Sequence, residues 1–240
     1  MSFNPKTDVP KLKRKVILVT GANSGLGKAA ITEFCRHHLA EVWLAARSLA
    51  KAQAADDEIK WEIPNAPIML LNLDLSSFNS VNSTAKAFTS DRLDILMLNA
   101  GVMAVPPAQT SESYEVQFGT NHMDHTLLTK LLLPRYGQSK LANILWAKQL
   151  ASPSFTVSSV HPGVVKTDLL SGARNAPPVF RAIFWAAHVL GFKSTVETGV
   201  KNQLWAAVSK DVKSGEYYEP VGAGGKASLH GTDDKLAIEI

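Results

Sequence analysis

Val16-Ile17-Leu18-Val19-Thr20-Gly21-Ala22-Asn23-Ser24-Gly25-Leu26-Gly27 is the stretch on which the fold turns. Its first five residues are an unbroken β-branched and apolar run, the composition of a strand buried on both faces of a parallel sheet. The glycines that follow allow a tight turn, and a helical pattern then runs over 26–37. A glycine trio alone is a weak signal. The spacing T-G-x-x-x-G-x-G directly after a buried strand is a strong one. It sets free N–H groups and the positive end of a helix dipole where a pyrophosphate would lie.

Outward from this turn, strand and helix patterns alternate, as parallel βαβ units require. Strands are expected at 42–45, 68–71 and 94–98, and helices at 49–60 and 77–88. A loop containing Pro106 and Pro107 leads to a long helix at 116–133. There the rhythm breaks, because Pro134 and Arg135 connect directly to a second helical pattern at 136–150 with no strand between. Alternation resumes with a strand at 155–160, a helix at 195–208 and a last strand at 216–218. Ser194 and Glu197 have the spacing of a capping box at the start of the 195–208 helix. There is no internal repeat or second-domain boundary. The pattern is α/β: a single Rossmann-type doubly wound parallel sheet over 1–240 from which the fifth strand is missing.

Composition narrows the function classes. The chain has 240 residues, 45% hydrophobic and 19% charged, with a net charge of +4, so it is an ordinary globular chain with a sizeable core. Lys11, Lys13, Arg14 and Lys15 form the one basic cluster, which reads as a solvated lead-in to the first strand rather than a nucleic-acid patch. Cys35 is the single cysteine, so no internal disulfide is available and a reducing, cytoplasmic setting is expected. No apolar run reaches the roughly 20 residues of a membrane span. The nearest, at 179–192, reads as a substrate lid or an interface, the lid segment being 177–192. His122 and His125 lie three apart without a third ligand pattern, so no metal site is expected.

Four further blocks follow the glycine turn in order: Asp74-Leu75, Asn99-Ala100-Gly101, Tyr136-Gly137-Gln138-Ser139-Lys140, and Pro162-Gly163 with Val165 and Thr167. Together these blocks resemble the short-chain dehydrogenase/reductase family over nearly the whole length. The resemblance is greatest to its retinol-dehydrogenase-like members and fungal members of biosynthetic pathways. It implies a dinucleotide held by Gly21, Ser24, Gly25, Leu26 and Gly27, with Asp74 and Leu75 at the adenine. It implies Asn99, Ala100 and Gly101 beside the cofactor at the sheet centre. Pro162, Val165 and Thr167 would hold the nicotinamide end, and Lys130 aligns with a frequently basic position near the cofactor. Homo-oligomer formation is expected from the family alone.

Arg47 stands twenty positions after Gly27, and no acid lies between Val42 and Ser48. An acid there would favour NAD, whereas a planar guanidinium suits the 2′-phosphate of NADP. Tyr136 and Lys140, four apart, share one helix face. A free tyrosine titrates near 10, too high for a base at neutrality, and a neighbouring ammonium favours its phenolate. By resemblance, Tyr136 exchanges the proton with a small apolar carbonyl or alcohol, Lys140 tunes it and holds the nicotinamide ribose, and Asn121 kinks its helix and supports a proton relay. Asp124 stands where the family usually has glycine.

The family's serine, which polarises the carbonyl from the fifth strand, has no counterpart. Thr126 and Thr129 are the only hydroxyls between Asn121 and Tyr136 and both belong to the helix, while Ser158 and Ser159 follow Lys140. The strand and the serine are absent together at Pro134–Arg135. Three readings stay open at this point: a coding stretch skipped in the sequence, a chain that kept its cofactor site and lost catalysis, and an active chain with an altered site.

Overall fold

In a computed structural model of the chain, the described residues are 3–132, 156–163, 165, 195–219 and 221–225. The chain begins with a short helix α1 (Pro5–Asp8), capped by Asn4, whose side chain accepts from Lys6 N. This segment is more than a solvated lead-in. Phe3, Val9 and Leu12 are buried in the main core, while Lys15 pairs with Asp94 at 2.8 Å.

Four strands form a parallel sheet: β1 (Val16–Thr20), β2 (Glu41–Ala46), β3 (Ile68–Asn72) and β4 (Ile95–Met97). Their order is β3-β2-β1-β4. The registers Ile17↔Ile95 and Ile17↔Val42 place β1 at the centre, and all five of its residues are buried. Side chains alternate across the sheet. Ile17 and Val19 join the core that also holds Ile31, Phe34, Ile59 and Leu204, on α2 (Gly25–Cys35), α3 (Leu49–Glu62) and α7 (Val196–Val208). Val16 and Leu18 join a second core with Val81, Leu128 and Leu132, on α4 (Phe78–Ala87) and α6 (Asp124–Leu132). Helices therefore cover both faces, as a doubly wound sheet requires.

The long helix expected at 116–133 is divided. Val116–Phe118 is a single α-turn, α5, and Gly119–Met123 is a π-helical segment before α6 begins. A π segment inserts a residue into the helical ladder and recurs at functional sites; here it carries Asn121.

Two further strands, β5 (Ser158–Val160) and β6 (Glu216–Tyr218), pair in parallel as a separate ribbon. Among the described residues no strand joins β4 to β5. The stretch between them that includes Tyr136 and Lys140, and the expected lid at 177–192, lie outside the described residues. α7 ties the ribbon to the sheet. Asn202 Nδ2 donates to the carbonyls of His161 and Tyr218, and Gln203 Nε2 donates to Asn99 Oδ1 at 3.1 Å. A Cβ on Gly199 would fall 2.4 Å from Val165 Cγ2 and 3.1 Å from Leu26 Cδ2, so α7 packs tightly against the turn region. The cap of α7 differs by one residue from the expected box: Thr195 is the N-cap and its hydroxyl accepts from Thr198 N.

Candidate active site

The C-terminal ends of β1, β2 and β4 converge on Thr20. Its Oγ1 accepts from Asn99 N and Ala100 N, both at 3.0 Å. Asn99 answers by donating its Nδ2 to the Thr20 carbonyl at 2.9 Å. The glycine turn is fastened on the other side, where Gly21 N and Ala22 N donate to the Ala45 carbonyl of β2 at 2.8 and 3.4 Å. Gly21 has φ +64° and Gly25 +55°, the left-handed region that glycine alone enters at little cost. A Cβ on Gly27 would lie 2.6 Å from Asn99 Nδ2 and 2.7 Å from the Gly21 carbonyl oxygen. The motif spacing therefore serves a closed turn.

The N-terminus of α2 is open. Ser24 is its N-cap but makes no side-chain capping bond, and no acid stands in the first turn. By contrast, Ser48, Glu115 and Thr195 each cap their own helices. The helix end beside the glycine turn thus keeps its first N–H groups and its positive dipole for an external anion. Arg47 lies two residues beyond the Ala45 carbonyl that holds the turn. Its side chain is exposed and makes no ion pair among the described residues, while its carbonyl accepts from Asn72 Nδ2. These groups fit a dinucleotide phosphate.

The other expected contacts divide. Asp74 Oδ1 accepts from Ser76 N and Ser76 Oγ, so this carboxylate is half committed to its own turn. Leu75 is buried in the second core. Pro162 is half-buried beside Gly163, whose φ is +80°, and Val165 is buried against Gly199. Thr167, Tyr136 and Lys140 lie outside the described residues. Lys130 belongs to α6. It is exposed at the C-terminal end of α6, nine residues past Asn121 and about 14 Å along the axis at 1.5 Å per residue.

Asn121 is held firmly. Its Oδ1 accepts from Val102 N at 2.8 Å and its Nδ2 donates to the Val102 carbonyl at 2.9 Å. This two-point clamp ties the π segment to the loop after Asn99-Ala100-Gly101. Met103, next to Val102, and Phe118, just before the π segment, are two of the exposed large apolar side chains. Thr129 cannot replace the missing serine, because its hydroxyl donates to the His125 carbonyl at 2.7 Å.

Two residues of the same segment were not legible as site residues. His125 is buried, with Nε2 2.9 Å from Thr20 Oγ1 and Nδ1 3.1 Å from the Asn121 carbonyl. Burial pushes its pKa down to about 4, with nearby His122 adding to the effect against the Asn121 hydrogen bond. Asp124 is fully buried, and neither oxygen makes a well-formed hydrogen bond among the described residues. Burial, then the negative charges of Glu112 and Asp74, pushes its carboxyl up to about 7, against a weak pull from the Ser77 N–H. Its departure from glycine was the only sequence signal for Asp124. His125 had none beyond its spacing from His122.

Comparison with known proteins bears on the whole arrangement. Residues 15–146 match the sequence profile of the short chain dehydrogenase family. Mouse retinol dehydrogenase 12 is 33% identical over 250 aligned positions, covering 85% of this chain and 77% of the relative. Since 85% of 240 residues is fewer than 250, the relative carries residues within the match that this chain lacks. The short-chain dehydrogenase/reductase drtF of Aspergillus calidoustus is 32% identical, with 88% and 86% covered. Among solved structures, L-sorbose reductase of Gluconobacter frateurii, complexed with NADPH and L-sorbose, superposes with a TM-score of 0.69 at 16% identity, over 92% of this chain and all of that one. That likeness shows the fold.

Proposed function

The chain belongs to the short-chain dehydrogenase family and is retinol-dehydrogenase-like, and from that premise we propose that it is an NADP(H)-dependent oxidoreductase interconverting a small apolar carbonyl and its alcohol. One observation carries the proposal: the uncapped, acid-free N-terminus of α2 beside a closed glycine turn, with Arg47, which forms no ion pair among the described residues, next to it. The dinucleotide, when bound, supplies or accepts the hydride. The chain's own part is to hold it and to move a proton. The α2 N-terminus would take the pyrophosphate and Arg47 a 2′-phosphate, with Asp74 and Leu75 at the adenine end. Asn99 and Ala100, locked to Thr20, would form with Gly101 the wall behind the nicotinamide end, and Pro162, Val165 and Thr167 would close over it.

Tyr136 gives the proton to the carbonyl oxygen in reduction and takes it back in oxidation. Lys140 lowers the tyrosine's pKa towards neutrality. Asn121, clamped on Val102, supports the relay behind them. Met103, next to the clamped Val102, and Phe118, three residues before Asn121, offer exposed apolar surface, and the relatives' name, retinol dehydrogenase, also points to an apolar substrate. The fungal relative favours a place in secondary metabolism. Without the family's serine, the carbonyl loses one hydrogen-bond donor, a loss on the order of 10²-fold or more in turnover if nothing replaces it.

A second reading is favoured by that missing serine and by the lack, among the described residues, of a strand joining β4 to β5: a cofactor-binding protein without turnover. One experiment separates the two. The pure chain is incubated with NADPH and a panel of apolar ketones and aldehydes, and cofactor oxidation is followed by the loss of NADPH absorbance beside Tyr136→Phe. Turnover that Tyr136→Phe abolishes supports the enzyme. NADPH binding with no oxidation in either protein supports the second reading.

A further inference from the structure

Thr20 Oγ1 is surrounded by three partners. Two are backbone N–H groups, Asn99 N and Ala100 N at 3.0 Å each, and a backbone amide can only donate. The hydroxyl oxygen therefore accepts twice, and its own proton must go to the third partner, His125 Nε2, at 2.9 Å. A nitrogen that accepts carries no proton. The ring proton then sits on Nδ1, which donates to the Asn121 carbonyl at 3.1 Å. The surroundings thus select one neutral tautomer of a fully buried ring.

Following these bonds gives an uninterrupted path. It runs from the Asn99-Ala100 backbone, through the Thr20 hydroxyl that opens the glycine turn, through both nitrogens of His125, to the carbonyl of Asn121. The Asn121 side chain is separately clamped on Val102. Asn121 lies in the π segment, where the regular α-helical ladder is interrupted, and its carbonyl receives a side-chain donor from His125. We propose that His125, fixed as its Nδ1–H tautomer, is a positioning residue that couples the dinucleotide turn at Thr20 to the Asn121 carbonyl. The proposal rests on the preceding reading for its functional meaning, since that reading places the cofactor on one side of the ring and the proton relay on the other.

Neither neutral replacement can do both tasks. A glutamine's Oε1 can accept from Thr20 but its amide reaches Asn121 with different geometry. An asparagine can donate to the Asn121 carbonyl but is too short for Thr20. A charged ring would have to donate on both nitrogens and would meet the Thr20 oxygen with its acceptor capacity already used. Burial disfavours that form as well.

The test reads the ring directly. Full-length chain carrying ¹⁵N-histidine is studied by long-range ¹H–¹⁵N correlation, and His125 is assigned from the signals lost in His125→Gln. The expected result is a protonated Nδ1 and a bare Nε2 with no titration step between about pH 8 and pH 5, and a shift of both signals on saturation with NADPH. A ring protonated at Nε2, or doubly protonated at neutral pH, overturns the proposal, as do signals unmoved by bound NADPH. His125→Gln and His125→Asn are then expected to lower kcat about tenfold, the loss of one net hydrogen bond, with the NADPH Kd within about threefold. Wild-type kcat in both variants overturns the positioning role. A wild-type chain that binds no NADPH or transfers no hydride defeats the preceding reading instead. The two failures are distinguishable because the tautomer is read on the protein alone: there the Nδ1–H form supports the bridge and any other form overturns it.

Discussion

Replacing Asp124 by asparagine should stabilise this protein, and by an amount that depends on pH in a fixed direction. Asp124 is fully buried at the start of α6, with Glu112 and Asp74 nearby, and its carboxyl is pushed from 3.8 up to about 7. The folded state therefore holds this proton more tightly than the unfolded chain does. Stability is unaffected by the group below about pH 4, falls as pH rises from about 4 to 7, and stays reduced above that. At roughly 1.4 kcal/mol per unit, three units correspond to a ceiling of about 4 kcal/mol. The Asp124→Asn variant would keep the shape of the side chain and remove its charge. The gain over wild type should be near zero at about pH 3, grow through about pH 4–7 and level above that, where it would raise Tm by roughly 8–16 °C for a domain of this size. Thermal unfolding of both proteins at half-unit pH steps measures it. A variant no more stable than wild type in mildly alkaline buffer, or a gain that is largest at acid pH, refutes the reasoning.

Three further outcomes follow from the site. Gly27→Ala places a Cβ 2.6 Å from Asn99 Nδ2 and 2.7 Å from the Gly21 carbonyl. It should therefore cost about 1–3 kcal/mol by overpacking and weaken NADPH binding at least tenfold by calorimetry. Gly199→Ala, 2.4 Å from Val165 and 3.1 Å from Leu26, should cost stability of the same order through the α2–α7 contact while leaving the Arg47 end of the site unaltered, seen as unchanged NADPH-to-NADH preference. With Asp124→Asn in place, the burial of neutral His125 should become visible as acid lability. Its folded pKa, about 4, lies below the unfolded value near 6.5, so stability is lost as pH falls from 6.5 to 4. Adding His125→Gln should flatten that limb of the unfolding profile.

The elements legible in the sequence were those whose residues speak locally. β1 announced itself because every residue is apolar or β-branched and each is buried. The glycine turn was legible because the positive φ of Gly21 and Gly25 leaves little choice of residue. Asn99 followed from its block. The 3–12 segment was not legible as core, since Phe3, Val9 and Leu12 share no helical or strand period and are buried only by tertiary packing. The π segment cannot be told from an α-helix by hydrophobic spacing. Thr195 displaced Ser194 as the cap of α7 because adjacent hydroxyl residues are nearly equal as caps. His125 depends on Thr20, 105 residues away, and nothing local reports such a pair.

The central claim is that the turn opening at Thr20 holds a 2′-phosphorylated dinucleotide. Calorimetric titration of the full chain with NADPH and with NADH, repeated on Arg47→Ala, tests it most directly. The account predicts NADPH binding at least tenfold tighter than NADH in the wild type, with the preference lost in Arg47→Ala through weaker NADPH binding alone. Equal affinity for the two nucleotides would remove the NADP assignment, and binding of neither would contradict the account itself.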